Sequence, residues 1–103
     1  MEQEVDNLVG LQVTDEAGYQ AYRDGMAPIL ARIGGRFLLD VDVANVRLSH
    51  DDVSFNRLFV LRFPNMAALE AFFADSDYQR VRDEHFVRSV EELYLLGRYN
   101  VTS

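Results

Sequence analysis

The spacing of apolar residues switches along the chain between every second residue and every third or fourth, and this switching constrains the fold most. Strands direct alternate side chains to one face, whereas helices repeat a face every three to four residues. Alternation from Val5 to Val13 predicts a strand, and a stripe from Tyr19 to Ile33 predicts a helix. Two further strands, a second helix and a closing strand follow by the same criterion. We therefore predict the order β-α-β-β-α-β.

Residues with special backbone preferences mark the ends of the two predicted helices. Thr14 or Asp15 is positioned to cap the first helix, and Gly34 with Gly35 ends it. Pro28 lies inside that helix, where we expect a kink or a lost hydrogen bond. Asn65 is the predicted cap of the second helix.

The predicted strands after the first helix have boundaries of the same kind. Arg36 to Leu48 is strand-like, and His50 to Phe55 is a polar connection. The third strand runs from Arg57 to Phe63 and the last from Glu92 to Val101. The segment Asp75-Ser76-Asp77 breaks the second helix and offers a fresh cap.

Composition excludes several classes of function. The 103 residues suit one domain, 1–103, and their net charge of −7 disfavours a nucleic-acid partner, which needs clustered cations. Because cysteine is absent, disulfides, thiol catalysis and zinc–thiolate sites are excluded. The first residues are acidic rather than basic as in a signal peptide, and no apolar run approaches the roughly 18 residues of a membrane span. We expect a cytoplasmic protein.

Alternation divides the strand residues into two faces. One face is almost purely apolar and should pack under the helices: Val9, Leu11, Val13, Phe37, Leu39, Val41, Phe59, Leu61, Phe63, Leu93 and Leu95. The other is mixed: Leu8, Gly10, Gln12, Arg36, Leu38, Asp40, Leu58, Val60, Arg62, Tyr94, Leu96 and Arg98. Two helices cover only one face of a four-stranded sheet, and the leucines of the other face resemble an interface. We therefore predict a homodimer through the sheet faces that encloses a partly polar cavity; the alternative is a monomer with scattered surface leucines.

Several short motifs occur in an order that resembles a known family. They are Val13-Thr-Asp15, Tyr19 and Tyr22 three apart, Gly34-Gly-Arg-Phe-Leu38, Arg57 leading into Phe63-Pro64, and Ser76-Asp-Tyr78-Gln79. Together they resemble the domain-of-unknown-function family 1330, in the dimeric α/β-barrel superfamily. The resemblance implies an α+β, ferredoxin-like βαββαβ sandwich, with a four-stranded antiparallel sheet and two helices on one face, that dimerises through its sheets. It implies no particular reaction, since that superfamily holds cofactor-free monooxygenases, haem-handling enzymes, isomerases and sensors.

Four residues of the mixed face are candidates for lining a ligand cavity: Gln12, Arg36, Arg62 and Arg98. Guanidinium groups around one space suit a carboxylate or another planar anion, and we take Arg62 and Arg98 as its anchors. The alternative is that each arginine pairs with Asp40, Asp42 or an acidic residue across the dimer, because buried charges must be paired.

Other polar side chains offer weaker candidates. Tyr19 could bind a ligand and Tyr22 could act as an acid, although tyrosines at this spacing usually pack, as we also expect of Tyr78. Asp15 is a candidate carboxylate whose position fits a helix cap, and His85 lies in the polar cluster Asp83-Glu84-His85 near a helix end. His50 is too far from it to complete a metal pair, so we expect no metal.

Two functions remain open. The first is a module for a small, partly apolar anion, either a binding protein or a cofactor-independent oxygenase or isomerase. No phosphate loop, dinucleotide fingerprint or nucleophile elbow is present, so we expect no cofactor. The second is a homo-oligomeric structural or interaction protein whose cavity is filled by its own side chains.

Overall fold

The computed structural model of the chain describes residues 3–101. Its strands are β1 (Val5–Val13), β2 (Arg36–Asp42), β3 (Arg57–Phe63) and β4 (Val90–Asn100), and its helices are α1 (Glu16–Ile33), α2 (Met66–Ala74) and α3 (Ser76–Val81). A π-helical turn, Arg82–Phe86, and a last helical turn, Val87–Ser89, connect α3 to β4. The strands form one antiparallel sheet in the order β2-β3-β1-β4. The predicted ferredoxin-like βαββαβ fold is confirmed.

The helix ends follow the predicted capping residues. Asp15 Oδ1 accepts a hydrogen bond from Gly18 N at 3.0 Å, and Gly34 takes the left-handed conformation, with φ 92°, that ends α1. Asn65 Oδ1 accepts from Ala68 N at 2.7 Å at the start of α2. The assigned helix α1 continues through Pro28 without a break.

The core lies between the helices and one face of the sheet. Its buried members are Val5, Val9, Leu11 and Val13 of β1, Tyr19, Tyr22, Met26, Ile29 and Leu30 of α1, Phe59, Leu61 and Phe63 of β3, and Leu69, Phe72 and Tyr78 of the later helices. Alternate residues of the two central strands face these helices, as the period of two requires. We call this the helix side of the sheet and the other face the open side.

A β-bulge in β2 overturns part of the predicted face assignment. Phe37 pairs with Leu61, but the next pair joins Leu39 to Val60, so Leu38 is an extra residue. An extra residue reverses the alternation of everything after it. Leu39 and Val41 therefore lie on the open side and Asp40 on the helix side. The prediction that placed them the other way round is wrong.

A second bulge does the same in β4. Leu8 pairs with Gly97 and Val9 with Leu95, so Leu96 is the extra residue. Beyond it, Arg98 pairs with Asn7, and Asn7 is 2% exposed beneath the helices. Arg98 therefore lies on the helix side, contrary to its predicted place beside Arg62.

The second strand is also shorter than predicted, because it ends at Asp42 rather than Leu48. The following loop, 43–56, returns over the open side, where the Phe55 ring covers Gly10; a Cβ at Gly10 would lie 2.9 Å from that ring. Asn56 fixes the end of the loop to β1: its Oδ1 accepts from Val13 N and its Nδ2 donates to Val13 O, both at 2.8 Å.

Asp40 joins two strands to α1 from its unexpected position on the helix side. Arg57 donates two hydrogen bonds to its carboxylate at 2.9 Å, and Arg23 of α1 forms an ion pair with it. The bonds from Arg57 are the main reason that the pKa of Asp40 lies below its ordinary value; Arg23 adds to this and partial burial opposes it. The charged form of Asp40 therefore stabilises the fold.

Replacing Asp40 with Asn tests this contribution. A carboxyl group whose pKa is lower in the folded than in the unfolded state contributes stability above its unfolded pKa, and this is lost as pH falls toward the folded value. We expect Asp40→Asn to lower the free energy of unfolding by about 1–3 kcal/mol at neutral pH, and the deficit to shrink as pH falls from about 5 to 2.5.

The measurement is urea unfolding at each pH, with Asp42→Asn as the control. Asp42 lies on the same strand, but its side chain is largely exposed and 3.9 Å from Arg57. We expect that control to cost little at any pH. A deficit for Asp40→Asn that stays constant with pH would contradict the assignment.

Candidate functional site

A cavity of about 180 Å³ lies between the helix side of the sheet and the helices. Its walls are mostly apolar: Val9, Phe59, Leu61, Phe73, Phe86, Leu93 and Leu95. Five polar side chains also line it: Asn7, Tyr22, Tyr78, Arg82 and Arg98. An apolar cavity with a few polar groups at defined places is typical of a small-molecule site.

Asn7 and Arg98 form the polar part of the sheet floor. Asn7 occupies a core position of β1, and its Oδ1 accepts a hydrogen bond from Arg98 Nε at 2.9 Å. Among residues 3–101, no carboxylate lies within ion-pair distance of Arg98. The bond to a neutral amide orients the guanidinium, and the positive charge has no carboxylate partner among these residues.

Two tyrosines supply the polar groups on the helix wall. The hydroxyls of Tyr22, on α1, and Tyr78, on α3, form a buried hydrogen bond of 2.9 Å in which either can donate. Burial raises the pKa of both phenols above their ordinary value, and the neighbouring Tyr78 raises that of Tyr22 further. Both are therefore neutral near pH 7 and can donate a hydrogen bond.

The π-helical turn shapes the remaining wall. It contributes Phe86, whose ring centroid lies 4.8 Å from that of Tyr22, and Arg82, which donates to Asp83 Oδ1 at 3.1 and 3.2 Å. Ser89 follows the turn, fully buried, and its Oγ donates to His85 O at 2.7 Å. Single π turns occur frequently at functional sites because the extra residue redirects side chains.

The structure does not bring the predicted arginines together. Arg62 lies on the open side and donates two hydrogen bonds to Asp6, at 2.6 and 2.8 Å; these bonds are the main cause that lowers the pKa of Asp6. Arg36 lies 3.5 Å from Glu4. Both Arg62 and Arg36 are therefore ion-paired, as the alternative prediction had it. Their partners are Asp6 and Glu4 rather than Asp40 or Asp42. Arg98 alone of the three lines the helix-side cavity.

The other predicted site residues lie in separate places. Gln12 lines a second, solvent-open depression of about 410 Å³ beneath loop 43–56, in whose lining, among residues 3–101, Asp52 is the only charged residue. Tyr19 is buried in the core, where the Arg57 guanidinium carbon lies 5.0 Å from its ring centroid. Asp15 caps α1, as predicted.

The histidines lie outside the cavity lining. His85 is on the π-helical turn, with Nε2 3.5 Å from Glu84 Oε2, whereas His50 is almost fully exposed in the loop. No group of three or more potential metal ligands occurs within residues 3–101. Of the predicted catalytic candidates, only Tyr22 lines the cavity.

Sequence reasoning missed Asn7 and, on the π-helical turn, Arg82 and Phe86. Asn7 had a detectable signal, because it is a polar residue within the apolar alternation Val5, Val9, Leu11. A polar side chain in a core position usually has a specific partner, and here the partner is Arg98. Nothing in the spacing near Arg82 and Phe86 distinguishes a π turn from an α-helix.

Comparisons with known proteins agree with this architecture. A structure of the RPA0582 protein of unknown function from Rhodopseudomonas palustris has a TM-score of 0.80 at 18% identity, over 100% of this chain and 85% of that one. SnoaB, a cofactor-independent oxygenase from Streptomyces nogalater, has a TM-score of 0.65 at 14% identity, over 98% and 95%. A dimeric ferredoxin-like protein of unknown function from Jannaschia sp. has a TM-score of 0.61 at 18% identity, over 95% and 99%.

These likenesses show a shared fold and no shared reaction. None of the curated proteins compared with the chain matches it. Within residues 3–101, no helix is long and apolar enough to cross a membrane.

The model of the domain of unknown function DUF1330 matches residues 7–97. The chain belongs to the DUF1330 family.

Proposed function

We propose that this protein binds a small, partly apolar anion in the helix-side cavity, with Arg98 as the counter-charge. The observation that carries this proposal is the unpaired guanidinium beside Asn7. Arg57 and Arg62 each have a carboxylate partner at hydrogen-bond distance, whereas Arg98, among the described residues, has only a neutral amide. A cation held at a cavity without a carboxylate favours an anionic ligand.

The chemistry of the walls supports the same kind of ligand. Aromatic and aliphatic side chains occupy most of the lining, so the body of the ligand is apolar. Arg98 is also exposed, so an anion can reach it from solvent. The net charge of −7 gives no general attraction for anions, and binding therefore depends on this local cation.

If the protein catalyses a reaction, cofactor-independent oxygenation or isomerisation suits the site best. The neutral tyrosine pair can donate a proton or a hydrogen bond to a reacting oxygen. SnoaB, which has the same fold, is a cofactor-independent oxygenase. The likeness supports the proposal by analogy of fold only.

We also propose that two copies associate through the open sides of their sheets. Leu39 and Val41 are 46% and 38% exposed there, and the bulge in β2 directs both to this side. Covering such apolar side chains stabilises an association. The similar protein from Jannaschia is described as dimeric. Arg62 and Arg36 already pair with carboxylates on this side. Their charges therefore need no bound anion at the interface, which agrees with a dimer contact that is purely structural.

The Arg98→Leu variant tests the binding site, with Arg62→Leu as the control on the opposite side. A charge-assisted hydrogen bond contributes about 1.5–3 kcal/mol, so we expect Arg98→Leu to weaken benzoate binding at least tenfold. Arg62→Leu removes the partner of Asp6 and should lower stability without changing benzoate affinity. Calorimetric titration and thermal unfolding measure the two effects. If benzoate affinity is unchanged in Arg98→Leu but lost in Arg62→Leu, the anion binds on the open side of the sheet and the proposal is refuted.

The Val60→Arg variant tests the dimer. Val60 lies on β3 in the centre of the sheet and pairs with Leu8 on the open side. A cation buried there without a partner is costly, so we expect Val60→Arg to shift the protein from dimer to monomer in sedimentation equilibrium. Val87→Arg is the matched control, because Val87 is 65% exposed on the helical turn before β4. A wild-type protein that sediments as a monomer would refute the proposed dimer.

A further inference from the structure

The tyrosine pair has one hydroxyl proton that is not donated in any hydrogen bond within the described residues. Tyr22 and Tyr78 carry two O–H groups between them, and their single mutual hydrogen bond consumes one. No other hydrogen bond to either hydroxyl occurs within the described part of the chain. Both side chains are buried and line the cavity. The pair therefore presents one O–H donor to whatever occupies the cavity.

The size of the cavity limits what that occupant is. An engineered protein cavity of about 150 Å³ binds benzene, and this cavity has about 180 Å³. The apolar part of this space therefore matches one six-membered ring, whose polar substituents lie at the Arg98 end and at the tyrosine end, and it is small for two fused rings. Five aromatic side chains line the space: Tyr22, Phe59, Phe73, Tyr78 and Phe86. Their faces and edges suit a flat, unsaturated ring.

The two polar groups belong to opposite walls. Arg98 and Asn7 come from the sheet, whereas the tyrosines come from α1 and α3. A ring held between these walls can direct an acidic group to the guanidinium and a second polar group to the hydroxyl pair. Such an arrangement distinguishes ligands by both of their ends.

We propose that the ligand is a single-ring aromatic carboxylic acid whose far end carries a carbonyl-type oxygen that accepts the free hydroxyl proton of the Tyr22–Tyr78 pair. The proposal rests on the binding function proposed above and adds the size of the ligand and its second point of recognition. The carboxylate contacts Arg98, and the ring lies among the aromatic side chains.

A pair of isosteric probes tests the second contact. In 4-formylbenzoate and 4-vinylbenzoate the para substituents have the same planar shape, but only the first has an oxygen acceptor. A buried donor left without an acceptor weakens binding, so we expect 4-formylbenzoate to bind about tenfold more tightly in calorimetric titration. The bicyclic 2-naphthoate should bind more weakly than either.

The double variant Tyr22→Phe/Tyr78→Phe provides the control. Removing both partners of a hydrogen bond disturbs a core less than removing one, so we expect this variant to fold with the circular dichroism spectrum of the wild type. It should bind the two benzoates equally. A merely structural role for the tyrosines would leave the wild-type preference for 4-formylbenzoate intact in the variant.

The outcomes separate this inference from the proposed function. If both benzoates bind equally to the wild type and both lose affinity in Arg98→Leu, the proposed function stands and the hydroxyl contact is refuted. If 2-naphthoate binds as tightly as 4-formylbenzoate, the single-ring limit is refuted. If Arg98→Leu changes the affinity for none of the probes, the proposed function falls as well.

Discussion

Each strand residue of this protein faces one side of the sheet only, and single extra residues decide which side. Leu38 in β2 and Leu96 in β4 have no partner in the pairing of the neighbouring strand, and each reverses the alternation beyond it. The first reversal directs Asp40 to Arg23 and Arg57, and the second directs Arg98 to Asn7. The ionic contact that joins α1 to the sheet and the cation of the candidate site therefore have the same geometric origin.

The arginines on the two sides of the sheet differ in whether a carboxylate pairs with them. On the open side, Arg62 is neutralised by Asp6, directly opposite it in the pairing of β1 with β3. On the helix side, Arg57 is neutralised by Asp40, whereas Arg98 is held, within the part of the chain that the structure describes, only by an amide. Paired charges stabilise a fold without attracting other molecules, while an oriented and unpaired cation retains its affinity for an anion. This difference favours Arg98 over Arg62 and Arg57 as the cation of the candidate site.

The order of the elements, their caps and the core of β1 and β3 were predictable because they depend on local periodicity and on residues such as Asp15, Gly34 and Asn65. The side of the sheet on which Asp40 and Arg98 lie was not, because a bulge is set by pairing with a distant strand. Adjacent leucines, Leu38-Leu39 and Leu95-Leu96, interrupt the alternation at both bulges, and such doublets were the available signal. Tyr22 was a weak candidate from the sequence, and the structure places it in the cavity lining. Its hydrogen bond with Tyr78 depends on how α1 and α3 meet.

The π-helical turn has a consequence for how related proteins could diverge. A π turn contains one residue more than the α-helical turn it replaces, so losing a single codon between Arg82 and Phe86 would restore ordinary helical spacing. Such a deletion would remove one side chain of the turn and tighten the backbone between Arg82 and Phe86, the two residues of the turn that line the cavity. One deletion at this point would therefore reshape this wall of the cavity while leaving the sheet intact, which gives evolution a short route to a differently shaped cavity on the same scaffold.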